Sequence, residues 1–356
     1  MKKIILGVLL AASAVAAWAE DVMLRDDHPD QYTVVKGDTL WDISDTFLKN
    51  PWMWPEIWHA NPQIENPHLI FPGDIISLIY LDGKPRLTVD RRTVRLQPGT
   101  VKMAPAVRVV PLDEAIPAIP LDAIDEFLNK NRVVSREEME LAPYVVAGHE
   151  QRIVLGAGDR LYARGTFDEN IPVYGIYRLG QAYTDPFTKE VLGYEAAEIG
   201  AVKVKEIDRD IATMNAIRTT EEIRLTDRLL PDEERSIDST FYPSPPSDEY
   251  IEGVIMSVSG GLTQVGKLDV VALNLGDRDG LKVGNVLSIY KEGLVIKDRV
   301  AGDKVKLPEE QAGLLMVFRT FEKMSYGLVL ESERPLKVGD KLYSPSRRVV
   351  RKVAED

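Results

Sequence analysis

Tryptophan is the residue whose distribution most constrains the fold of this chain. Four of the five tryptophans, from Trp41 to Trp58, lie within one short stretch, and none occurs after it. Tryptophan side chains bury a large area when they pack in a core. A small unit with its own core is therefore expected over residues 30–82, distinct from the long remainder.

The pattern around these tryptophans predicts a strand, two helices and a second strand. Tyr32–Val35 alternates in the manner of a strand, and Thr39 fits a helix N-cap with Asp42 as its capping-box partner. Pro55 suits the first turn of a second helix, and Ile75–Tyr80 has the composition of a closing strand. The predicted order in this unit is βααβ.

Prolines punctuate residues 83–143, which predicts a connector between this unit and the rest of the chain. The stretches between the prolines are either edge strands or extended linker. A short helix is predicted at Leu121–Asn129, where apolar side chains recur on one face.

Two similar blocks of short strands separated by Gly and Asp turns follow the connector. Each block contains a strand, a second strand that opens with glycine, and a closing turn with aspartate, at Leu225–Leu229 and at Val338–Leu342. The predicted fold class is multidomain: a small βααβ domain, a connector and two small mostly-β domains. The predicted boundaries are 144–230 for the first β-domain, 231–247 for a flexible hinge, 248–344 for the second β-domain and 345–356 for a charged tail.

The N-terminus has the pattern of a secretory signal peptide over residues 1–19. Lys2 and Lys3 precede the apolar run Ile4–Ala16, and Ala17–Ala19 offers a small-x-small cleavage site. An uncleaved membrane anchor is the alternative, although the run is short for a membrane span. Cleavage would release the chain into the periplasm without membrane insertion, and the absence of cysteine leaves no residue for a lipid anchor.

The charge of the chain limits its partners. The formal net charge is −12. Nucleic acid and anionic lipid attract cationic surfaces, so neither is expected as a partner. An anionic cell-wall polymer would have to be held by short-range contacts.

The residue inventory argues against catalysis in this chain. Metal-dependent hydrolysis requires two or three converging ligands, and of the four histidines only His149 lies outside the N-terminal region. The chain has no cysteine nucleophile. We therefore expect no enzyme activity, no metal site and no cofactor, with the reservation that a carboxylate pair for glycoside hydrolysis is not recognisable from spacing alone.

Three motifs in the N-terminal unit resemble the LysM domain. They are the segment Tyr32–Ser44 with its Lys36-Gly37-Asp38-Thr39-Leu40 core, then Asn61-Pro62, and then Pro72-Gly73-Asp74. Residues 48–54 form an insertion between the two helices that many LysM domains lack. The resemblance implies binding of N-acetylglucosamine-containing glycans such as peptidoglycan.

The resemblance also implies where the glycan binds, namely in a shallow groove between the β1–α1 loop and the α2–β2 loop. The same residues also suit turns and helix caps, which is the simpler alternative for them. Trp41 and Trp58 are expected in the core, whereas Trp52 and Trp54 in the insertion are expected to be more exposed and are weaker candidates for stacking on sugar. The implied glycan-binding residues are Gly37, Asp38, Thr39, Leu40, Asn61, Pro62, Leu69 and Ile70.

The segments Thr184–Gly193 and Leu273–Gly284 give the rest of the chain a resemblance to the secretin-associated LysM proteins of type IV pili. The second segment is also similar to the C-terminal domain of a flagellar basal-body ring protein. These resemblances imply a non-catalytic adaptor that anchors an envelope machine to peptidoglycan, with an outer-membrane secretin ring as the expected partner. A flagellar ring component and a LysM-targeted wall hydrolase are the alternatives.

Overall fold

A computed structural model describes residues 22–58, 70–90, 116–124, 127, 131–232, 241–248, 250–258 and 264–345. The predicted signal peptide and nearly all of the predicted charged tail lie outside these residues. Within them, no helix has the length and apolar character needed to cross a bilayer.

The N-terminal unit contains the predicted elements and one additional strand. Its sheet has the order β1-β2-β3, and both pairings are antiparallel. The third strand lies beyond the predicted boundary at residue 82, because the chain turns back through Asp82-Gly83 and pairs along the whole of the preceding strand. The elements are β1 (Gln31–Thr33), α1 (Leu40–Phe47), α2 (Trp54–Trp58), β2 (Ile75–Leu81) and β3 (Lys84–Asp90).

All four tryptophans of this unit are buried. The prediction for Trp41 and Trp58 is confirmed, with 2% and 6% of their surfaces exposed. The expected exposure of Trp52 and Trp54 is wrong, since only 5% and 2% of their surfaces are exposed. A 3₁₀ turn at Pro51–Met53 leads directly into α2 and directs both side chains into the core.

The chain after this unit is mostly β, as predicted, and its first part forms a closed ring of six strands. Neighbours in the ring are β5-β7-β10-β9-β8-β12, and β12 returns to β5. A seventh strand, β4, pairs with the outer part of β9, and β6 pairs with β11. The elements of this first ring are β4 (Asn131–Val134), α3 (Arg136–Leu141), β5 (Tyr144–Gly148), β6 (Val154–Leu155), β7 (Arg160–Arg164), β8 (Val173–Thr184), β9 (Val191–Asp208), β10 (Ile211–Thr219), β11 (Ile223–Arg224) and β12 (Arg228–Pro231).

The second part forms another closed six-stranded ring with the order β13-β15-β20-β19-β16-β22. Here β14 pairs with β21, and β17 pairs with β18 in a separate ribbon. The elements of this second ring are β13 (Glu252–Val258), β14 (Gln264–Val265), β15 (Val270–Leu273), β16 (Val286–Lys291), β17 (Val295–Lys297), β18 (Lys304–Lys306), β19 (Glu310–Thr320), β20 (Ser325–Ser332), β21 (Leu336–Lys337) and β22 (Lys341–Tyr343).

The two rings repeat each other strand for strand. In each, the closing aspartate accepts a backbone N–H from the residue three positions earlier, at 2.8 Å for both Asp227 and Asp340. Each aspartate also pairs with a cation on the neighbouring strand, Arg178 at 2.9 Å in the first ring and Lys291 at 2.8 Å in the second. The bulges between β9 and β10 recur between β19 and β20 with the same spacing.

Parts of the predicted connector and hinge make defined contacts with the rest of the chain in the residues that the structure describes. Residues 131–141 belong to the first ring, and the predicted helix at Leu121–Asn129 begins as a 3₁₀ turn at Leu121–Ala123. Ile116–Ile124 packs in the main core. The predicted hinge is also fixed at its end, where Phe241 is buried and Ser244 donates its backbone N–H to the carbonyl oxygen of Gly284 at 3.0 Å.

Candidate binding site

The β1–α1 loop is a tight turn held by an aspartate. Gly37 takes a φ of 100°, which favours glycine, and a side chain there would meet open space. The Asp38 carboxylate accepts the Val35 N–H at 2.8 Å and the Tyr32 hydroxyl at 3.0 Å. Asp38 therefore holds the turn, and Gly37 offers the exposed backbone of the loop.

Thr39 and Leu40 begin helix α1 and are both buried. The Thr39 hydroxyl accepts the Asp42 N–H at 3.2 Å and donates to the Asp42 carboxylate at 2.7 Å, which confirms the predicted N-cap. The first N–H groups of a helix have no partner within the helix. At this helix those groups belong to Leu40 and Trp41, and they point toward the predicted groove.

The opposite wall of the predicted groove is described only in part. Asn61, Pro62 and Leu69 lie outside the described residues. Ile70 is fully buried, and the turn after it repeats the chemistry of the β1–α1 loop, since the Asp74 carboxylate accepts the Phe71 N–H at 3.1 Å.

A segment of the predicted connector lies between the two walls. The backbone N–H of Leu40 donates to the carbonyl oxygen of Pro117 at 3.0 Å, and that of Trp41 donates to Ala118 at 3.2 Å. On the other side, the N–H of Ile116 donates to the carbonyl oxygen of Ile70 at 2.9 Å. Residues 116–118 therefore connect the two walls of the predicted groove. The carbonyl oxygens of Pro117 and Ala118 accept hydrogen bonds from the same helix N–H groups that would otherwise be available to a ligand.

Sequence reasoning missed Ile116, Pro117 and Ala118 as part of this site. The signal available was the apolar run 115–119, which is unusual for a solvated linker. Ile116 and Ala118 are 4% and 1% exposed, so the segment packs as core rather than as a spacer.

The N-terminal unit also contacts the second ring through charged groups. Lys267 approaches Asp42 at 3.4 Å. The pKa of Glu331 on β20 is raised to about 7, mainly by burial and also by the neighbouring carboxylate of Asp45 on α1, while the indole of Trp41 and the charge of Lys267 act in the opposite direction. This carboxyl is therefore half protonated near neutral pH, at the contact between the two units.

No group of three or more potential metal-ligating side chains converges within the described parts of the chain. The wide depressions in these parts include one beside α3 and β12, lined by residues such as Tyr177 and Asp227. Among its charged groups, Arg178 pairs with Asp227 and Arg136 pairs with Glu140.

Residues 32–78 match the LysM domain, and this part of the chain is a LysM domain. The domain supports a role in binding peptidoglycan through N-acetylglucosamine. A curated relative, the uncharacterized protein YqbP of Bacillus subtilis (strain 168), is 38% identical over 60 residues. The alignment covers 14% of this chain and 27% of that protein, so the chain spans well under two thirds of its relative.

Proposed function

We propose that this protein is a non-catalytic adaptor that holds an envelope machine to peptidoglycan through its LysM domain. The observation that carries the proposal is the match at residues 32–78 together with the turn and helix start at Gly37–Leu40. A groove bordered by this turn and helix start offers backbone N–H donors to the N-acetyl groups of the glycan and an apolar floor to the sugar ring. The signal peptide pattern puts the chain in the periplasm in this proposal.

Glycan binding in this proposal requires the connector to leave the groove. The carbonyl oxygens of Pro117 and Ala118 accept the helix N–H groups at 3.0 and 3.2 Å. An N-acetyl carbonyl oxygen has the same hydrogen-bonding chemistry and would replace them one for one. The affinity is then reduced by the fraction of molecules whose groove is closed.

The remainder of the chain supplies the attachment to the machine in this proposal, through two β-domains that correspond to the two rings. An outer-membrane secretin ring is the proposed partner, on the resemblance of segments 184–193 and 273–284. A multimeric partner suits a weak glycan site, because many copies held together raise the effective concentration of grooves at the wall.

The glycan part is tested by co-sedimentation of the full chain with purified sacculi. One shallow groove is expected to bind with a dissociation constant between about 1 μM and 1 mM. Oligosaccharides of N-acetylglucosamine should release the protein, whereas cellulose oligosaccharides, which lack the N-acetyl group, should not. Release by both sugars or by neither would contradict the proposal. Muropeptides should not appear in the supernatant.

Two helix N-caps provide a matched pair of variants for the same assay. Thr39 caps α1 beside the groove, and Ser135 caps α3 by accepting the Glu138 N–H at 3.0 Å. Replacing either with alanine is expected to cost about 1 kcal/mol of stability. Only Thr39→Ala should weaken sacculus binding, and equal binding by both variants would place the groove elsewhere.

A further inference from the structure

Each ring extends one long hairpin, called here the first arm (residues 179–198) and the second arm (residues 292–311). The tips of the arms are the same turn. Asp185 accepts the N–H groups of Phe187 and Thr188 at 2.8 Å each, and Asp298 accepts those of Val300 and Ala301 at 2.7 and 3.1 Å. The two arms have equal length and extend from equivalent strands. The surface that packs against the first arm therefore indicates the kind of surface that the second arm can bind.

The first arm packs against the outside of the second ring. Tyr183 and Leu192 of the arm are each only 6% exposed. They join the cluster that contains Phe318 and Tyr326 of the second ring, and the hydroxyls of Tyr183 and Tyr326 lie 3.0 Å apart. The partner of this arm is therefore the apolar, aromatic face of a β-sheet.

Charged groups at the edge of that face match the tip of the first arm. Glu190 pairs with Arg278 at 3.1 Å and with Lys323 at 2.8 Å, and the two cations lower its pKa to about 2. Asp185 accepts a hydrogen bond from the Asn274 side chain at 2.7 Å. The acidic tip thus meets a basic rim.

The second arm has the same apolar face without such a cover in the described structure. Ile296 and Val305 occupy the positions of Tyr183 and Leu192, yet 45% and 40% of their surfaces are exposed. These two pair directly across the ribbon, and the N–H of Leu307 donates to Leu294 at 2.9 Å. Leu294, Ile296, Val305 and Leu307 therefore share one face, since side chains two apart on a strand point the same way.

The tips of the two arms carry the same charge. Asp298 and Asp303 of the second arm occupy the positions of Asp185 and Glu190 in the first arm. Lys304 and Lys306 lie on the ribbon face opposite to Ile296 and Val305, and Lys306 pairs with Glu292 at 2.7 Å. A surface that receives this arm as the second ring receives the first therefore needs cations at its rim.

We propose that the second arm is a docking element for another protein, and that its partner presents an apolar β-sheet face bordered by cations. The arm would lie flat on that face through Leu294, Ile296, Val305 and Leu307, with Asp298 and Asp303 at its tip reaching the basic rim. The proposal concerns a surface distant in sequence from the LysM domain and does not rest on glycan binding.

A second copy of this chain fits the arm less well. The face of the first ring equivalent to the aromatic face carries Lys203, Lys205 and Thr213 in place of Met316, Phe318 and Tyr326. Both lysines are exposed, so this face lacks the apolar surface that the apolar side chains of the arm need. Two arms packed on each other would bury only four side chains each, far less than a stable interface of about 1,600 Å² requires.

An anionic membrane also fits less well. The most exposed apolar residue of the arm, Val300 at 97%, sits at the tip between the carboxylates of Asp298 and Asp303. Insertion of that tip into a bilayer would bring both carboxylates to an anionic surface, which costs free energy.

A photo-cross-linking amino acid placed on each face of the arm tests the proposal in the cells that make the protein. The reporter at Ile296 lies on the apolar face, and the reporter at Lys297 lies on the opposite face of the same strand. We expect a protein adduct from Ile296 and none from Lys297, with mass spectrometry identifying its peptides. Adducts formed only with a second copy or with lipid, or no adduct from Ile296, would overturn the proposal.

The identified partner is then purified and its affinity for the full chain is measured. Ile296→Ser combined with Val305→Ser should weaken binding at least tenfold. Ile153→Ser combined with Ile217→Ser, which removes two exposed apolar side chains from the first ring, should leave it unchanged. If both double variants bind the partner equally well, the docking proposal is wrong, whether or not the protein binds sacculi. A failure to bind sacculi would contradict only the proposed glycan binding and not the docking proposal.

Discussion

The two rings have the same strands, turns and bulges but different outer faces. The second ring presents Phe318, Tyr326 and Leu314 outward, and the first arm, the connector and the LysM domain all pack in the cluster that contains them. The first ring presents Lys205 and Thr213 at the positions of Phe318 and Tyr326, and these stay exposed or half-buried. The side chains inside each ring and the residues of its turns therefore determine the ring fold. The outward side chains determine which other parts of the molecule pack against it.

The largest effect is expected at the closing aspartates, which both rings share. Asp227→Ala and Asp340→Ala should each lower the free energy of unfolding by about 3 kcal/mol, because each removes the buried carboxylate that pairs with a partly buried cation and leaves the turn N–H without its acceptor. The loss at Asp227 should be the smaller of the two, since Arg178 keeps a second carboxylate partner, Glu221, at 2.8 Å. Urea unfolding of the full chain measures both. Asp298→Ala at the exposed arm tip is the control and should cost less than about 1 kcal/mol. A loss of stability from the substitution in one ring but not in the other would contradict the structural equivalence of the two rings.

The outer faces should respond differently to truncation. Phe318→Ala should destabilise the protein by about 3 kcal/mol, because Phe318 is 2% exposed and its loss leaves a cavity beneath the arm and connector. Lys205→Ala, at the matching bulge of the first ring, should change stability by no more than about 0.5 kcal/mol. Thermal unfolding compares the pair, and similar losses would mean that the outer faces do not differ in the way described.

The contact between the second ring and the LysM domain should depend on pH through Glu331. Its folded-state pKa is raised to about 7, above the unfolded value, so the folded protein binds more protons between about pH 4.5 and 7. The free energy of unfolding should therefore fall by about 2–3 kcal/mol as pH rises through that window. Glu331→Gln should remove this fall. An unchanged pH profile in the variant would mean that another group is responsible.

The smallest effect is expected at the hydroxyl pair between the first arm and the second ring. Tyr326→Phe should cost about 1 kcal/mol, since Tyr183 is left with a buried hydroxyl and no tyrosine partner. A double-mutant cycle with Tyr183→Phe should return a coupling energy of about 1 kcal/mol. Additive single effects would indicate that the two hydroxyls do not interact.

The local elements of the LysM domain were predictable because short-range signals determine them. Thr39 with Asp42, and the Gly37-Asp38 and Gly73-Asp74 turns, act within three or four residues, so the sequence shows them directly. The burial of Trp52 was not predictable, because it depends on a fold of the insertion that has no such signal.

Long-range packing limited the prediction of the candidate site. The connector segment at Ile116–Ala118 meets Leu40 and Ile70 across a wide separation in sequence, and its prolines gave it the appearance of a linker. The repeat of the closing turn was visible in the sequence. The difference between the two arms was not, because it becomes meaningful only when Tyr183 is seen buried and Ile296 exposed at the same position.

Hydrogen exchange at the Ile116 amide tests most directly whether the LysM groove serves glycan. This N–H donates to Ile70 only while the connector lies in the groove. Adding an N-acetylglucosamine oligosaccharide to the full chain should speed its exchange several-fold, while amides of β16 in the second ring stay unchanged. Unaltered exchange at Ile116 with saturating oligosaccharide would contradict the account.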